Sequence, residues 1–562
     1  MADIIQFLLI LSPFVLAIVL LVAKRWKADT TGVLVFILIA LLALVFATPI
    51  DSIILISLAG IIDSFKITLM VGVSILMITY MGESGALARI VVFIKTLKGS
   101  HPAWQILFLN FGLGCFLVAI GATPVSILPP IMLALGFPPV AAVALPAIGY
   151  DPLTTYALLS IPAVVFTGEL GNLASSGIYL DAAPSLQEVG QAFSIYMPLI
   201  STGIAIAMLF IAGGWKMVRE PSSLSIALLS GLTAGVAAII ANFLGMVTIT
   251  GVIAGIAVLI VLACYAKIQG YTILDRSELT PEDLKIEKSM SLIRATSPWI
   301  LLVILAFLTN LIPPIFDLLF STLSFPVTIG DFVVKTRILW QAYTWVAVSL
   351  ILSFLFLPSD QKMLKNTLIR FKSRGIRPMI STAIFFAVAW ILNQSAPQNP
   401  SLNMIVILSE FTSVNFGLIF PILVPLIGFF GGFVSGSETS SIVMFTKYHV
   451  QTSNSLNFDP LTMGTASGIG GGLASVITPA KVQNAAATID EIGIEGQVIA
   501  KTIGIATFML CFLAGITLLW SRNFPTIDLQ LITWITLGFF IVLIITFISG
   551  FLLNIRRKAD EK

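Results

Sequence analysis

Apolar residues recur along this chain in long uninterrupted runs, not in alternating pairs or in one stripe per helical turn. The longest runs fall at 5–23, 31–47, 67–80, 102–120, 193–213, 224–243, 247–266, 298–312, 337–357, 379–392, 416–433, 498–520 and 529–552. A helix crosses a hydrocarbon core of about 30 Å with about 20 apolar residues. The pattern therefore predicts an all-α polytopic membrane protein with about 12–14 transmembrane helices. The run at 5–23 ends in Lys24-Arg25-Trp26-Lys27 with no small-residue cleavage site behind it, so it reads as a retained first span.

Basic residues orient these spans, because short loops rich in Lys and Arg stay cytoplasmic. They cluster at Lys24/Arg25/Lys27, Arg89/Lys95/Lys98, Lys216/Arg219, Lys267/Arg276/Lys285/Lys288/Arg294, Lys362/Lys365/Arg370/Lys372/Arg374/Arg377 and Arg556/Arg557/Lys558. An even number of spans separates most neighbouring clusters, which places the N-terminus outside and the C-terminus in the cytoplasm. The polar loop 266–297 divides the chain into a half at 1–265 and a half at 298–562. In 84–98, Leu87, Ile90, Val91, Phe93, Ile94 and Leu97 interleave with Arg89, Lys95 and Lys98. This suits an interfacial amphipathic helix or, more plainly, a cytoplasmic connector.

Composition narrows the class further. Of 562 residues, 58% are hydrophobic and 10% charged, against roughly 25% charged in soluble proteins. Too few charges exist to coat a soluble surface, which excludes a soluble enzyme and a nucleic-acid binder. A net charge of +3 implies no acidic partner. Cys115, Cys264 and Cys511 sit in apolar runs and fit neither a disulfide framework nor a metal site. No cofactor is expected.

Two stretches break the apolar pattern in a similar way. One runs from Gly121-Ala-Thr-Pro-Val-Ser126 through Phe137-Pro-Pro139 and Asp151-Pro152 to Ser160-Ile-Pro162. The other runs from Gly436-Ser-Glu-Thr-Ser-Ser441 through Phe458-Asp-Pro460 and Gly468-Ile-Gly-Gly-Gly472 to Ile477-Thr-Pro479. They cover 121–162 and 436–479. By the charge-derived threading one follows an outward span and the other an inward span, as in an inverted repeat. Paired interruptions of this kind point to the binding site of a secondary transporter.

The physical reason is direct. Non-helical backbone survives at membrane depth only where protein buries it or a wet cavity lines it. A helix beginning there offers free N–H donors and about half a positive charge, suited to a carboxylate. Thr123, Ser126, Ser437, Thr439, Ser440 and Ser441 are candidate substrate-binding hydroxyls, with back-bonding to their own helices or a cap as the plain alternative. Glu438 is the candidate proton-coupling or substrate-facing group, the alternative being a helix cap or an interfacial position. Lys481 is a candidate charge partner for Glu438 or for an anion, or else snorkels to an interface. Asp151 and Asp459 each precede Pro and read as N-caps. Lys447 and His449 read as part of an exposed connector, and Glu169 as interfacial.

Gly436-Ser-Glu-Thr-Ser-Ser441, Gly470-Gly-Gly-Leu-Ala-Ser-Val-Ile-Thr-Pro479 and Ala485-Ala-Ala487 together resemble the lactate permease family. Leu135-Gly-Phe-Pro-Pro139, Leu292-Ile-Arg-Ala-Thr-Ser-Pro298 and Asn393-Gln-Ser395 extend the resemblance over nearly the whole chain. It implies a plasma-membrane symporter carrying lactate, often glycolate, with protons, on a hairpin-containing fold of inverted repeats. Three departures stand out: the family's usual Glu before the first broken helix is missing at Leu117-Val-Ala-Ile-Gly121, its Gly-Ser-Asp-Thr-Ser-Ser has Glu438 here, and Lys481 replaces a neutral polar residue.

Other classes fit less well. Ser467 in Gly464-Thr-Ala-Ser-Gly468 has no downstream His to act as base, and 468–472 lacks the Lys-Ser/Thr ending of a phosphate-binding loop. An enzyme and an ATP-driven pump are thus disfavoured. A sodium-coupled carboxylate transporter and a passive organic-anion channel stay open as alternatives. The expected partners are a small carboxylate, a proton or Na⁺, and the bilayer, with no nucleic acid.

Overall fold

The computed structural model describes residues 4–20, 24, 26, 28–97, 101–121, 124–271, 274–277, 279–489, 491 and 493–521. The run at 529–552, the basic cluster at 556–558 and Thr123 lie outside the described residues.

Helices dominate, as the apolar runs require. Among the described residues nine are long and apolar enough to cross a membrane, and shorter apolar helices such as Met404–Phe416 and Phe420–Ser435 accompany them. The protein is an all-α polytopic membrane protein, with one small hairpin among the described residues. The run at 102–120 becomes Pro102–Ala119, with Pro102 opening the first turn where its missing N–H costs nothing. The runs at 193–213 and 224–243 lengthen into Leu186–Arg219 and Pro221–Phe243. The first of these starts at a reciprocal cap, in which Ser185 Oγ accepts from the Glu188 amide and Glu188 accepts from the Ser185 amide.

Three elements differ from the apolar pattern, each for a local reason. The run at 379–392 is only the end of a single helix, Gln361–Gln394. Asp360 caps its polar half by accepting from the Met363 amide at 2.8 Å, and the Lys, Arg, Leu and Met residues that follow are good helix formers. The run at 337–357 holds a shorter helix, Ala342–Ser353, because the chain before it pairs as the strands Phe325–Ile329 and Phe332–Thr336. Gly330 supplies the positive φ of 57° in their turn. Finally, Ile50–Asp63 forms a helix that the acids at its two ends had hidden from the apolar count.

The connector at 84–98 folds as Ala86–Thr96 and packs on the polar helix Pro281–Ser289. Arg89 Nε donates to the Met290 carbonyl at 2.9 Å, and Lys95 Nζ reaches Asp283 Oδ1 at 2.9 Å. Basic residues that had only oriented the chain therefore also dock its central loop.

Both interrupted regions break as their Gly and Pro residues demand. The first comprises the helices Pro124–Ala134 and Pro139–Ile148, turned at Gly136, then a 3₁₀ turn Asp151–Tyr156. The helix Ala157–Ser175 follows, and its first turn holds Leu158, Leu159 and Ser160 at φ of 54°, 57° and 62°. Left-handed backbone costs an L-residue roughly 1–2 kcal/mol. Such strain collects where the surroundings impose it, commonly at functional sites. In the second region Phe420–Ser435 ends at Gly436, φ 73°, and Glu438–Leu456 starts immediately after. Pro460–Leu473, a 3₁₀ turn at Ser475–Ile477 and Pro479–Ala487 complete it.

Glycines set the spacing inside the second region. A Cβ on Gly428 would lie 1.9 Å from the Ser467 carbonyl oxygen, and one on Gly432 2.1 Å from that of Gly471. Gly428 and Gly432 stand four apart and face Ser467 and Gly471, also four apart. Two helices with the same chain direction thus touch backbone to backbone, the close approach that small residues four apart permit in membranes.

Candidate functional site

The two interrupted regions meet. Thr155 Oγ1, from the first, donates to Glu438 Oε1, from the second, at 2.6 Å. Glu438 is 3% exposed, and its other oxygen, Oε2, makes no hydrogen bond among the described residues. A Cβ on Gly472 would come within 2.8 Å of that oxygen and 3.1 Å of Thr154 Oγ1. Only the absence of a side chain at 472 therefore leaves the carboxyl its space.

Glu438 occupies the first helical position after the cap, not the cap itself. Ser437 caps, its hydroxyl accepting from the Ser440 amide at 3.4 Å. Thr439 and Ser440 are buried in the same first turn. Ser441 Oγ donates to the Gly428 carbonyl at 2.8 Å, which engages this hydroxyl in the close helix contact. Ser126 lies on the helix Pro124–Ala134.

Lys481 comes from the helix Pro479–Ala487, and its ammonium sits 4.7 Å from the centre of the Tyr150 ring, a favourable cation–π distance. Next to Tyr150 is Asp151, which departs from its expected role. Tyr150 precedes the 3₁₀ turn as its cap, and Asp151 opens the turn with neither carboxylate oxygen hydrogen-bonded among the described residues. Asp459 does behave as a cap, accepting from the Leu461 and Thr462 amides. The charges of Asp151, Glu438 and Lys481 act on one another across the buried site.

One further expectation changes. Lys447 and His449 are not on an exposed connector, because Glu438–Leu456 is an interior helix packed by Gln361–Gln394, Met404–Phe416 and Phe420–Ser435. Lys447 Nζ donates to the Asn393 carbonyl. His449, 1% exposed, is surrounded by Phe420, Phe445 and Tyr448. Glu169 is drawn into a charge group, with Lys66 Nζ 4.0 Å from it and 2.8 Å from Asp63. That group lines a cavity of about 650 Å³ running along 161–172, whose wall also includes Asn310, Arg337 and Trp390.

Residues 6–522 match the family model described as L-lactate permease. The chain belongs to the L-lactate permease family. Its curated relatives are distant. The Escherichia coli (strain K12) glycolate permease is 22% identical over 92% of this chain and 96% of its own length. An L-lactate permease of Halalkalibacterium halodurans is 22% identical over 75% of this chain and 78% of its own. An L-lactate permease of Bacillus subtilis reaches 26% identity over 34% and 33%. Among solved structures, Neisseria gonorrhoeae MtrF, titled as illuminating a class of antimetabolite efflux pumps, covers 89% of this chain and 96% of its own at 16% identity and a TM-score of 0.34. Membership in a permease family with a multi-pass helical body makes the chain a membrane transport protein.

The sequence singles out Glu438 and Lys481 as candidates, and the structure adds Thr155, Asp151 and Gly472 to their surroundings. The available signal was simple. Asp151 is an acid inside an otherwise apolar interrupted region, and an intramembrane acid is a functional candidate by default.

Proposed function

We propose that this protein takes up lactate, or a similar small 2-hydroxy-monocarboxylate, across the plasma membrane by proton symport. The observation that carries the reading is the Thr155–Glu438 hydrogen bond, which joins the two interrupted regions at a buried carboxyl within the influence of the Lys481 charge. In this reading the substrate carboxylate faces Lys481 and the first-turn amides of Glu438–Leu456. The 2-hydroxyl meets the hydroxyls of Thr439 and Ser440, with Ser437 and Ser441 beside them in the same first turn. Glu438 carries the coupled proton, with Oε2 turned to the substrate. The family and the names of its lactate and glycolate permeases support the substrate class.

Alternating access then comes from the two interrupted regions, as inverted repeats, moving about the shared site. The basic loops support a cytoplasmic C-terminus and an external N-terminus. Sodium coupling and a passive channel are the competing readings.

Labelled lactate uptake into proteoliposomes, with and without an imposed pH gradient, tests this. Accumulation above equilibrium that collapses with an uncoupler is expected. Flux indifferent to the gradient would favour a channel, and a strict Na⁺ requirement would favour sodium coupling. Glu438→Gln should abolish proton-driven accumulation while lactate exchange stays measurable. Unchanged accumulation would remove Glu438 from the coupling.

A further inference from the structure

Asp151 is 4% exposed, yet both its oxygens lack hydrogen bonds among the described residues, so it neither caps the 3₁₀ turn nor is tied to a neighbouring hydroxyl. A buried carboxylate is tolerated only when something compensates it. The charged groups that act on Asp151 are Lys481 and Glu438. Tyr150, beside it in the chain, holds the Lys481 ammonium over its ring at 4.7 Å.

We infer that Asp151 is a positioning residue, the standing counter-ion of Lys481, and that it makes substrate binding depend on a proton at Glu438. This rests on the proposed symport. The argument is a charge count. With Asp151 and Glu438 ionised and Lys481 positive, the buried site holds one net negative charge. A substrate anion would then raise it to two, which a site withdrawn from water resists. With Glu438 protonated the site is neutral, and the substrate raises it only to one. Proton and anion therefore enter together, and the loaded site carries the same net charge as the empty deprotonated one.

Removing the charge of Asp151 removes that dependence. With Asp151 neutral and Glu438 ionised, the site is already neutral, so the substrate anion makes the same step that the unmodified protein makes only after protonation. Lys481 then holds lactate without a proton. The co-transported ion is no longer required, and the carrier leaks substrate downhill.

The test is Asp151→Asn in proteoliposomes, beside the unmodified protein and Asp151→Glu. At alkaline pH the half-saturating lactate concentration should fall roughly tenfold in Asp151→Asn, the scale of one extra unit charge close to a bound anion. Its pH profile should flatten, and gradient-driven accumulation should drop towards equilibrium while downhill uptake continues. Asp151→Glu, which keeps the charge, should retain the steep pH profile. Should the Asn variant fail to insert, Asp151→Ser carries the same test, being smaller and equally neutral. If the neutral variant keeps the original pH profile and half-saturation, the counter-ion role is overturned while the proposed function stands. If the unmodified protein does not accumulate lactate at all, the proposed function fails first.

Discussion

Gly428→Ala offers the sharpest measure of how tightly the second interrupted region is built. The added Cβ would stand 1.9 Å from the Ser467 carbonyl oxygen, whereas ordinary contact begins at 3.4 Å, so the two helices must part by about 1.5 Å. The obstacle is backbone, which has no rotamer to escape into. Overpacking of this kind costs about 1–3 kcal/mol, and the better helix propensity of Ala returns at most about 1 kcal/mol. Parting the helices also loosens Gly432 against Gly471 and Gly470 against Pro425, whose would-be Cβ contacts are 2.1 and 2.2 Å. The expected result is a lower unfolding temperature in detergent and weaker transport, since Pro460–Leu473 would carry Gly472 away from Glu438. Gly504→Ala and Gly515→Ala are the controls: a Cβ there meets nothing within 4 Å, so both should be neutral or slightly stabilising. The double variant Gly428→Ala/Gly432→Ala should cost less than the sum of the singles, because one separation relieves both clashes. A Gly428→Ala protein as stable as its parent, or strict additivity in the double variant, would refute the backbone-contact argument.

Three other outcomes follow from the same geometry. Gly472→Ala should leave folding nearly intact yet depress lactate uptake, since its Cβ would crowd Glu438 Oε2 at 2.8 Å and displace a side chain instead of a helix; transport kinetics against a thermal melt separate the two effects. Thr155→Val keeps the shape and removes the donor to Glu438, so it should cost about 1–3 kcal/mol of stability and weaken proton-driven accumulation, read from melting curves and uptake together. Outside the membrane, Asp283 lies below the usual carboxylate range: partial burial works upward but is outweighed by hydrogen bonds from Lys95 and from Thr280. A depressed folded-state value stabilises above the unfolded value and is lost as pH falls through the folded one. Hydrogen exchange in Pro281–Ser289 should therefore quicken only below about pH 4, and Lys95→Ala should quicken it at neutral pH.

The fold was legible wherever the bilayer was the strongest constraint. Runs such as 193–213 and 224–243 became helices because an apolar run with no partner for its backbone in lipid has no other stable form. Ends were less legible, as caps and polar turns fix them. Asp360 extends a helix eighteen residues ahead of the apolar run at 379–392, and no hydropathy count registers a cap. The hairpin at 325–336 escaped because two five-residue strands beside a turn glycine weigh little against the helical runs around them.

Legibility of the site divides along the same line. Glu438 declared itself by being an acid among Gly, Ser and Thr where charge is costly, and its neighbourhood in sequence supplied the capping Ser437. Its partners did not, because Thr155 and Asp151 stand 283 and 287 positions earlier and reach it only through tertiary packing. His449 and Lys447 misled for an instructive reason. In water a polar helix faces outward, but in a bilayer the outward surface must be apolar, so a helix bearing Lys447, His449, Thr452 and Ser453 belongs at the centre. Applied at the outset, that inversion would have drawn Glu438–Leu456 inward along its whole length. It also gives a reason for the glycines at 428, 432, 470 and 471: a polar helix held centrally leaves its neighbours little room, and backbone contact is how they fit.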